Sequence, residues 1–223
     1  MDKDLLHIKV VREILSQISL GVYKHGHRLP AERKLCEDFG VSRGTLRLAL
    51  SDLEKMEVVQ IKPQSGVYVQ NIAKSGVAKK IMPKYIANVS MAEIVFARKA
   101  IELAAIELAS QRITKAEIKD LNKCIEGMQA NVDNLPEYLR FDIAFHEQIV
   151  HSSKNPLLIE VFEAITNYHK YSQVFTSSSE SCETDAIKHH LRVIAALTAG
   201  DTRKSVSALK RHFDSMLKMN ISL

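Results

Sequence analysis

The stretch from residue 28 to residue 69 constrains the fold more than any other part of the chain, because helical and strand periodicities follow each other there at short range. Leu35 and Phe39 recur on one face of a short predicted helix. Gly40 then supplies a tight turn that residues with a Cβ atom resist. Ser42 is a favourable N-cap for a second helix, in which leucines recur at helical spacing. The pattern predicts a helix-turn-helix.

Two short runs of β-branched and aromatic residues follow these helices, at positions 58–61 and 67–69. Between them, Gly66 permits a sharp turn in which the backbone can approach another molecule closely. The runs therefore predict a β-hairpin, or wing. With a further helix near the start of the chain, residues 1–70 are expected to form a winged helix-turn-helix of three helices and one hairpin.

Polar residues occupy the exposed N-terminal end of the second predicted helix, the end that meets base edges and phosphates when such a helix lies in a DNA major groove. The candidate DNA-contacting residues are Arg33, Ser42, Arg43, Thr45, Arg47 and Gly66. As isolated residues the arginines would be ordinary solvated charges. Their position within the helix-turn-helix pattern favours contact with double-stranded DNA.

Composition excludes some classes of protein. The formal net charge of +5 is spread over both halves of the chain, so the arrangement of the arginines carries more weight than their number. The three cysteines are widely spaced and form no Cys-x-x-Cys pair, which argues against a disulfide framework or a thiolate zinc site and fits a reducing cytoplasm. Without a secretory signal or an apolar run of about eighteen residues, we expect a cytoplasmic protein with no membrane partner.

From about residue 75 to the end, the periodicity is helical throughout. Six or seven amphipathic helices are separated by short polar breaks, near 88–90, 113–114, 131–136, 152–156, 177–184 and 200–201. No convincing strand pattern occurs there. The predicted fold class is therefore mainly α, with the winged helix-turn-helix followed by an all-helical bundle.

Four polar residues fall in or beside the apolar stripes of these predicted helices, where water is excluded. Asp142 and His146 lie one turn apart on the inner face of one helix. His190 faces inward from a later helix, and His212 borders the apolar stripe of the last one. Because the helices of a bundle share one interior, we expect these side chains to converge.

Burial of an ionised carboxylate is unfavourable unless a positive charge pairs with it. A divalent metal ion would pair with Asp142. One aspartate with three histidines suits zinc, nickel, manganese or iron and leaves coordination positions open, and we predict zinc for this set. The alternative for each histidine is a hydrogen-bonded residue of the core that binds no ligand.

Arg98 lies in the middle of the apolar stripe that runs from Ile94 to Leu108. A buried guanidinium keeps its proton and needs an anionic partner. Glu102, one turn later, is one candidate partner, and the carboxylate of a small-molecule effector is the other. The residues alone leave both interpretations open.

Residues 5–70 resemble the winged helix of the GntR family of bacterial transcription regulators. The resemblance is carried by Leu-Pro-Ala-Glu-Arg at 29–33, by Val-Ser-Arg-Gly-Thr-Leu-Arg-Leu-Ala-Leu at 41–50 and by the glycine-tipped hairpin. Ala31 replaces the serine that is usual before Glu-Arg. Gly44 removes one side chain from the first turn of the second helix.

Residues 90–220 resemble the FCD ligand-binding domain of the FadR branch of that family, in the segments 141–149 and 190–197 and in the last helix. The resemblance implies that an effector carboxylate contacts Arg98 and that a metal ion is bound by Asp142, His146, His190 and His212. In the family, an acidic residue usually precedes the histidine ligand of this segment. His189 occupies that position here, so His189 stays open as an alternative ligand to His190.

Together these features predict a DNA-binding domain at 1–70, a linker with a first connecting helix at 71–89, and an effector-binding and dimerisation domain at 90–223. One winged helix contacts few base pairs, so we expect a homodimer on a pseudo-palindromic operator. A small organic acid bound at the metal site would set operator affinity, with repression favoured over activation.

Two other classes of protein remain open from the sequence. A metal-dependent enzyme would use the same ligands to activate water, although no neighbouring general base has motif support. An architectural DNA-binding protein would use its helical half only to dimerise, which would leave the buried polar residues without a role. An acyl-CoA-responsive regulator is disfavoured, because family members of that kind lack the aspartate and histidine ligands.

Overall fold

The computed structural model describes residues 3–19, 21–70, 90–176 and 180–218. The first part contains three helices and a two-stranded antiparallel sheet: α1 (Lys3–Ser19), α2 (Glu32–Phe39), α3 (Arg43–Lys55), β1 (Val59–Lys62) and β2 (Gly66–Val69). The strands pair in a register that joins Val59 to Val69 and Lys62 to Gly66. Helix α3 packs against α1, and apolar side chains of both helices form the core. The predicted winged helix-turn-helix is confirmed.

Local chemistry sets the limits of the helix-turn-helix. Gly40 ends α2 with a φ of 63°, a left-handed conformation that favours glycine, and its N–H bonds to carbonyl oxygens of the last turn. Ser42 begins α3 by accepting a hydrogen bond from the N–H of Thr45 at 3.2 Å. Ala31, which replaces the more usual serine, makes no side-chain cap at the start of α2.

Seven helices follow in the described residues of the second part. They are α4 (Met91–Arg112), α5 (Lys115–Ala130), α6 (Leu135–Ser152), α7 (Pro156–Ala164), α8 (Thr166–Thr176), α9 (Glu180–Thr198) and α10 (Thr202–Lys218). Ser90 and Thr114 begin α4 and α5 with capping boxes, in which a glutamate of the first turn bonds back to the cap residue. The predicted all-helical bundle is confirmed.

Two helix limits differ from the sequence-based expectation. Ile165 separates α7 from α8, although the position carries neither glycine nor proline. Helix α9 begins at Glu180, inside the polar break predicted at 177–184, because a polar composition alone does not prevent helix formation. The connecting helix predicted within 71–89 lies outside the described residues.

Helix α4 lies at the centre of the bundle and packs against α6, α8 and α10. Helix α9 packs against α10 and α5. Helix α8 also contacts α1, so it touches both the bundle and the winged helix. None of the described helices combines the length and the apolar character that crossing a membrane requires.

Candidate functional site

The surface around the start of α3 carries residues that the sequence predicts to contact DNA. Arg43 and Arg47 are exposed on α3, and Arg33 is exposed on α2. The Nε atom of Arg47 lies 3.0 Å from a carboxylate oxygen of Glu32, in an exposed ion pair. Such pairs contribute about 0–1 kcal/mol in water, so the guanidinium can exchange Glu32 for a phosphate or a base. The arrangement supports the predicted DNA contacts, which stay a prediction.

Ser42, Thr45 and Gly66 complete the predicted DNA-contacting set. The hydroxyl groups of Ser42 and Thr45 are 2.9 Å apart at the start of α3. Gly66 lies at the end of the wing with a φ of 116°, and a Cβ atom there would lie 2.5 Å from the Nε atom of Arg28. Glycine therefore lets the Arg28 guanidinium approach the wing. Arg28 is a cation of this surface that sequence reasoning missed, because no motif position marked it.

Five helices of the bundle bring buried polar side chains together, in a cluster that we call the buried polar site. The site is formed by Arg98 and Glu102 of α4, Asp142 and His146 of α6, His169, Ser172 and Gln173 of α8, His190 of α9 and His212 of α10. Each of these residues is at most 2% exposed. Polar groups are buried at this density only where they satisfy one another or bind a ligand.

A chain of contacts fixes the orientation of His146. Arg98 Nε donates to Glu102 Oε1 at 3.2 Å, and His146 Nδ1 donates to Glu102 Oε2. Burial alone would raise the pKa of Glu102, but the neighbouring His146 and Arg98 outweigh it and hold that pKa below its ordinary value. The Nδ1 of His146 thus carries the proton, which leaves a lone pair on Nε2 when the ring is neutral. No described group meets Nε2.

Side-chain nitrogens of three histidines and an oxygen of Asp142 lie close together in the buried polar site. His190 Nε2 lies 3.2 Å from His212 Nε2 and 3.6 Å from Asp142 Oδ1. One nitrogen from each of His146, His190 and His212 lies within 4.8 Å of the other two. Two nitrogens bound to one first-row metal ion at about 2.1 Å lie roughly 3–3.5 Å apart. The three histidines therefore fit a divalent metal ion, and Asp142 lies beside one of them.

The electrostatics of these ligand atoms agree with that fit. Burial lowers the pKa of His190 and of His212 well below the ordinary histidine value, so both rings are neutral and keep a lone pair. Burial also raises the pKa of Asp142. A positive ion beside its carboxylate would offset that effect. Gln173 Nε2 donates to Asp142 Oδ2 at 2.6 Å, which leaves Oδ1 turned to His190.

Two other histidines lie away from this convergence. His189 is half-buried on α9, and its ring centroid is 5.9 Å from that of His212. His151 is exposed, with Nε2 at 3.8 Å from a carboxylate oxygen of Glu163. The geometry supports His190 over the open alternative His189, and the ligand set itself stays a prediction.

The inner face of α8 was missed by sequence reasoning. Ser172 Oγ accepts a hydrogen bond of 2.7 Å from Arg98 Nη1, and Gln173 bonds to Asp142. His169 is fully buried, with its ring centroid 5.7 Å from that of His146. The available signal was the i, i+3, i+4 spacing of these three polar residues, which places them on one helix face.

Arg98 makes one of the two contacts that the sequence left open, the ion pair with Glu102. It pairs with Glu102 inside the bundle, and its guanidinium carbon lies 5.4 Å from the centroid of the Phe213 ring. Burial lowers the pKa of Arg98, and the nearby carboxylates of Glu102 and Asp142 oppose that shift. No described group meets the Nη2 donor. That donor is available to an anion, and effector binding by Arg98 stays a prediction.

Comparison with known proteins agrees with both halves of the molecule. The family described as "Bacterial regulatory proteins, gntR family" matches residues 6–69, and the FCD domain family matches residues 93–215. The chain belongs to the GntR family and carries an FCD domain. It is a transcription regulator and not an enzyme, as the sequence predicted. The metal-dependent enzyme considered above is thereby excluded.

Three individual proteins illustrate the relationship. The "Uncharacterized HTH-type transcriptional regulator YcbG" of Bacillus subtilis is 28% identical over 222 residues, which cover 98% of this chain and 93% of that protein. The "Galactonate operon transcriptional repressor" of Escherichia coli is 27% identical over 172 residues, 73% of each chain. The structure of Streptococcus agalactiae GntR covers 95% of this chain and 99% of its own at a TM-score of 0.53 and 21% identity, which supports the fold.

Proposed function

We propose that this regulator is a cytoplasmic homodimer that represses transcription, and that a small carboxylate bound at a metal ion in the FCD domain controls its affinity for DNA. The observation that carries the proposal is the convergence of three histidine nitrogens in the core, beside the carboxylate of Asp142. His190 Nε2 and His212 Nε2 are 3.2 Å apart in a fully buried position. Without a ligand, Asp142 Oδ1 and His146 Nε2 would stay buried with no hydrogen-bond partner among the described groups, which is unfavourable.

The metal ion would be held by Asp142, His146, His190 and His212. Three imidazoles and one carboxylate suit zinc first, with nickel, manganese and iron as alternatives. When bound, the ion supplies positive charge that attracts a carboxylate oxygen. Glu102 supports this role, because a carboxylate that accepts from the outer nitrogen of a ligating histidine fixes its tautomer and orientation.

The effector would be anionic because the site offers it cations. Arg98 Nη2 has no described partner, and a guanidinium binds carboxylates through two parallel N–H groups. The E. coli relative named for the galactonate operon supports a sugar acid as one class of effector, since galactonate is a carboxylate. We propose hydroxy acids, keto acids, sugar acids and dicarboxylates as the first candidates.

The route to DNA would run through α8. This helix contributes Ser172 and Gln173 to the buried polar site and also contacts α1 of the winged helix. An effector that draws Arg98 away from Ser172 would therefore change the packing of α8, which contacts both the bundle and the winged helix. A coupling free energy of about 1–3 kcal/mol between the two sites is typical of such regulators. In a symmetric dimer, this coupling would act on a pseudo-palindromic operator.

A thermal-shift screen tests the proposal. Purified protein is heated with each class of acid, with and without a chelator, and acids that raise the unfolding midpoint are titrated against an operator selected from random duplex DNA. We expect at least one acid to stabilise the metal-loaded protein and to weaken operator binding. Arg98→Lys keeps the charge but loses the two-pronged contact, so its affinity for that acid should fall about tenfold. If an acid raises the unfolding midpoint equally with and without the chelator, the proposed metal site is wrong.

A further inference from the structure

His169 is a buried polar residue that the proposed metal site does not use. It is 0% exposed on the inner face of α8, and no described group meets either of its ring nitrogens. Its ring centroid lies 4.8 Å from that of Phe162 and 5.7 Å from that of His146. A phenylalanine or leucine would fill this position without burying two unsatisfied polar atoms. The position therefore points to a ligand that hydrogen-bonds the imidazole.

No described carboxylate hydrogen-bonds the His169 ring, so no partner holds a second proton on it. A neutral imidazole offers one donor and one acceptor. A carboxylate satisfies only the donor and a cation only the acceptor. A hydroxyl group both donates and accepts, so it matches either nitrogen whichever carries the proton.

A second metal ion is the competing explanation, because one atom each of Glu102, His146 and His169 lie within 4.8 Å of one another. Both carboxylate oxygens of Glu102 already have partners, one of them the guanidinium of Arg98 at 3.2 Å. That fixed positive charge disfavours a cation beside it. His146 also uses Nδ1 for Glu102. The geometry favours an organic ligand over an ion here.

The same helix face shows where that ligand would lie. Ser172, one turn after His169, accepts from Arg98, and Gln173 donates to Asp142. His169 is thus on the wall of the site that faces both the proposed carboxylate-binding arginine and the proposed metal ligands. Atoms next to a bound carboxylate would be the ones that come within reach of its imidazole.

We propose that His169 determines effector specificity by hydrogen-bonding a hydroxyl group of the effector, so that the regulator responds to hydroxylated carboxylates and not to their unsubstituted counterparts. This inference rests on the proposed carboxylate effector. It goes further than that proposal by predicting which carboxylates bind. An alkyl acid of the same length keeps the carboxylate but lacks the hydroxyl group that His169 would bind.

The test uses full-length, metal-loaded protein and three matched pairs of acids: lactate with propionate, malate with succinate, and galactonate with hexanoate. Calorimetry is expected to show at least tenfold tighter binding for the hydroxylated member of at least one pair. His169→Phe, which keeps a ring against Phe162, is expected to abolish that preference while leaving the metal content unchanged. His169→Gln, which keeps a donor and an acceptor, should retain part of it. His151→Phe on the exposed surface is the matched control and should change nothing.

Each other outcome overturns a distinct statement. If no acid binds to metal-loaded wild type, the carboxylate effector fails and the role of His169 fails with it. If acids bind without a preference for the hydroxyl group, or if His169→Phe keeps the preference, only the role of His169 is wrong. Loss of metal from His169→Phe would make His169 a ligand of the ion instead. Should His169→Phe fail to fold, His169→Leu carries the same expectations.

Discussion

Each half of the molecule contains an arginine–glutamate ion pair, one exposed on the winged helix and one buried in the bundle. Arg47 Nε lies 3.0 Å from Glu32 on the winged helix, with side chains that are 70% and 39% exposed. Arg98 Nε lies 3.2 Å from Glu102 in the bundle, with both side chains fully buried. The geometry is nearly the same, and the surroundings differ completely. In water the pair is weak and exchangeable, whereas in the core each charge depends on its partner.

This difference separates two kinds of functional residue. On α3, polar groups face solvent while Leu46 and Leu50 hold the helix to the core, so DNA contacts and folding rest on different side chains. In the bundle, Arg98 and His146 are themselves part of the packed interior. Substitutions at the winged helix should therefore alter binding alone, while those in the buried polar site should alter stability as well.

The largest effect on folding is expected for Glu102→Gln. Loss of this carboxylate charge leaves the buried guanidinium of Arg98 without its partner and weakens the contact to His146. Removal of one partner from a buried ion pair typically costs about 3–5 kcal/mol of unfolding free energy. Denaturant unfolding in the presence of a chelator measures it without a contribution from metal.

Glu137→Gln is the matched control for that comparison. Glu137 pairs with Arg140 at 2.9 Å on the exposed face of α6, so the same substitution should change the unfolding free energy by no more than about 1 kcal/mol. Equal losses in the two variants would mean that burial does not distinguish the pairs.

The next effect concerns the metal ion. Wild type should contain up to about one divalent ion per chain, and at a free metal concentration about a hundredfold above Kd the ion should add about 2.7 kcal/mol of stability. His190→Ala should lose both the ion and the response to chelator, while His189→Ala keeps them. Elemental analysis and thermal unfolding measure the two quantities. The reverse pattern would move the ligand to position 189.

A third effect is a dependence on pH in the metal-free protein. The pKa values of His169, His190 and His212 lie well below their ordinary value in the folded state, because of burial. The unfolded chain therefore binds more protons, so this stability is complete only above about pH 7.5 and falls as the pH drops through about 6.5, the ordinary histidine pKa. Three such groups correspond to a loss of about 2 kcal/mol between pH 7 and pH 6. Denaturant midpoints across this range, with His212→Phe showing a shallower slope, provide the check.

The winged helix was predictable because its signals are local. Gly40 and Ser42 mark the turn and the helix start within a few residues, and three leucines of α3 recur three or four positions apart on one face. Asp142 and His146 were visible for the same reason, as polar residues one turn apart in an apolar stripe. Periodicity reveals which residues face inward, whatever the fold.

The wall formed by α8 was not predictable in this way. Arg98 and Ser172 are separated by 74 positions, and Glu102 and His146 by 44, so no local pattern links them. The unmarked end of α7 at Ile165 adds to the difficulty, because it changes which residues of the following segment face the core. Long-range pairing of polar groups depends on the tertiary arrangement, which the apolar pattern does not specify.

The smallest effect on folding, and the sharpest contrast with Glu102, is expected for Arg43→Ala. Arg43 is exposed at the start of α3, so its removal should change the unfolding free energy by no more than about 0.5 kcal/mol. If the guanidinium contacts a base edge, affinity for the selected operator should nevertheless fall by about 1–3 kcal/mol, with affinity for unrelated duplex DNA much less affected. Arg47→Ala should behave in the same way, because loss of the exposed pair with Glu32 costs little stability.

Gel-shift titrations at one fixed salt concentration, together with denaturant unfolding of the same preparations, test the expected effects on binding and on folding. Unchanged operator affinity in both variants would show that α3 does not read DNA through its arginines, and the separation between binding and folding residues in this half of the molecule would then be lost.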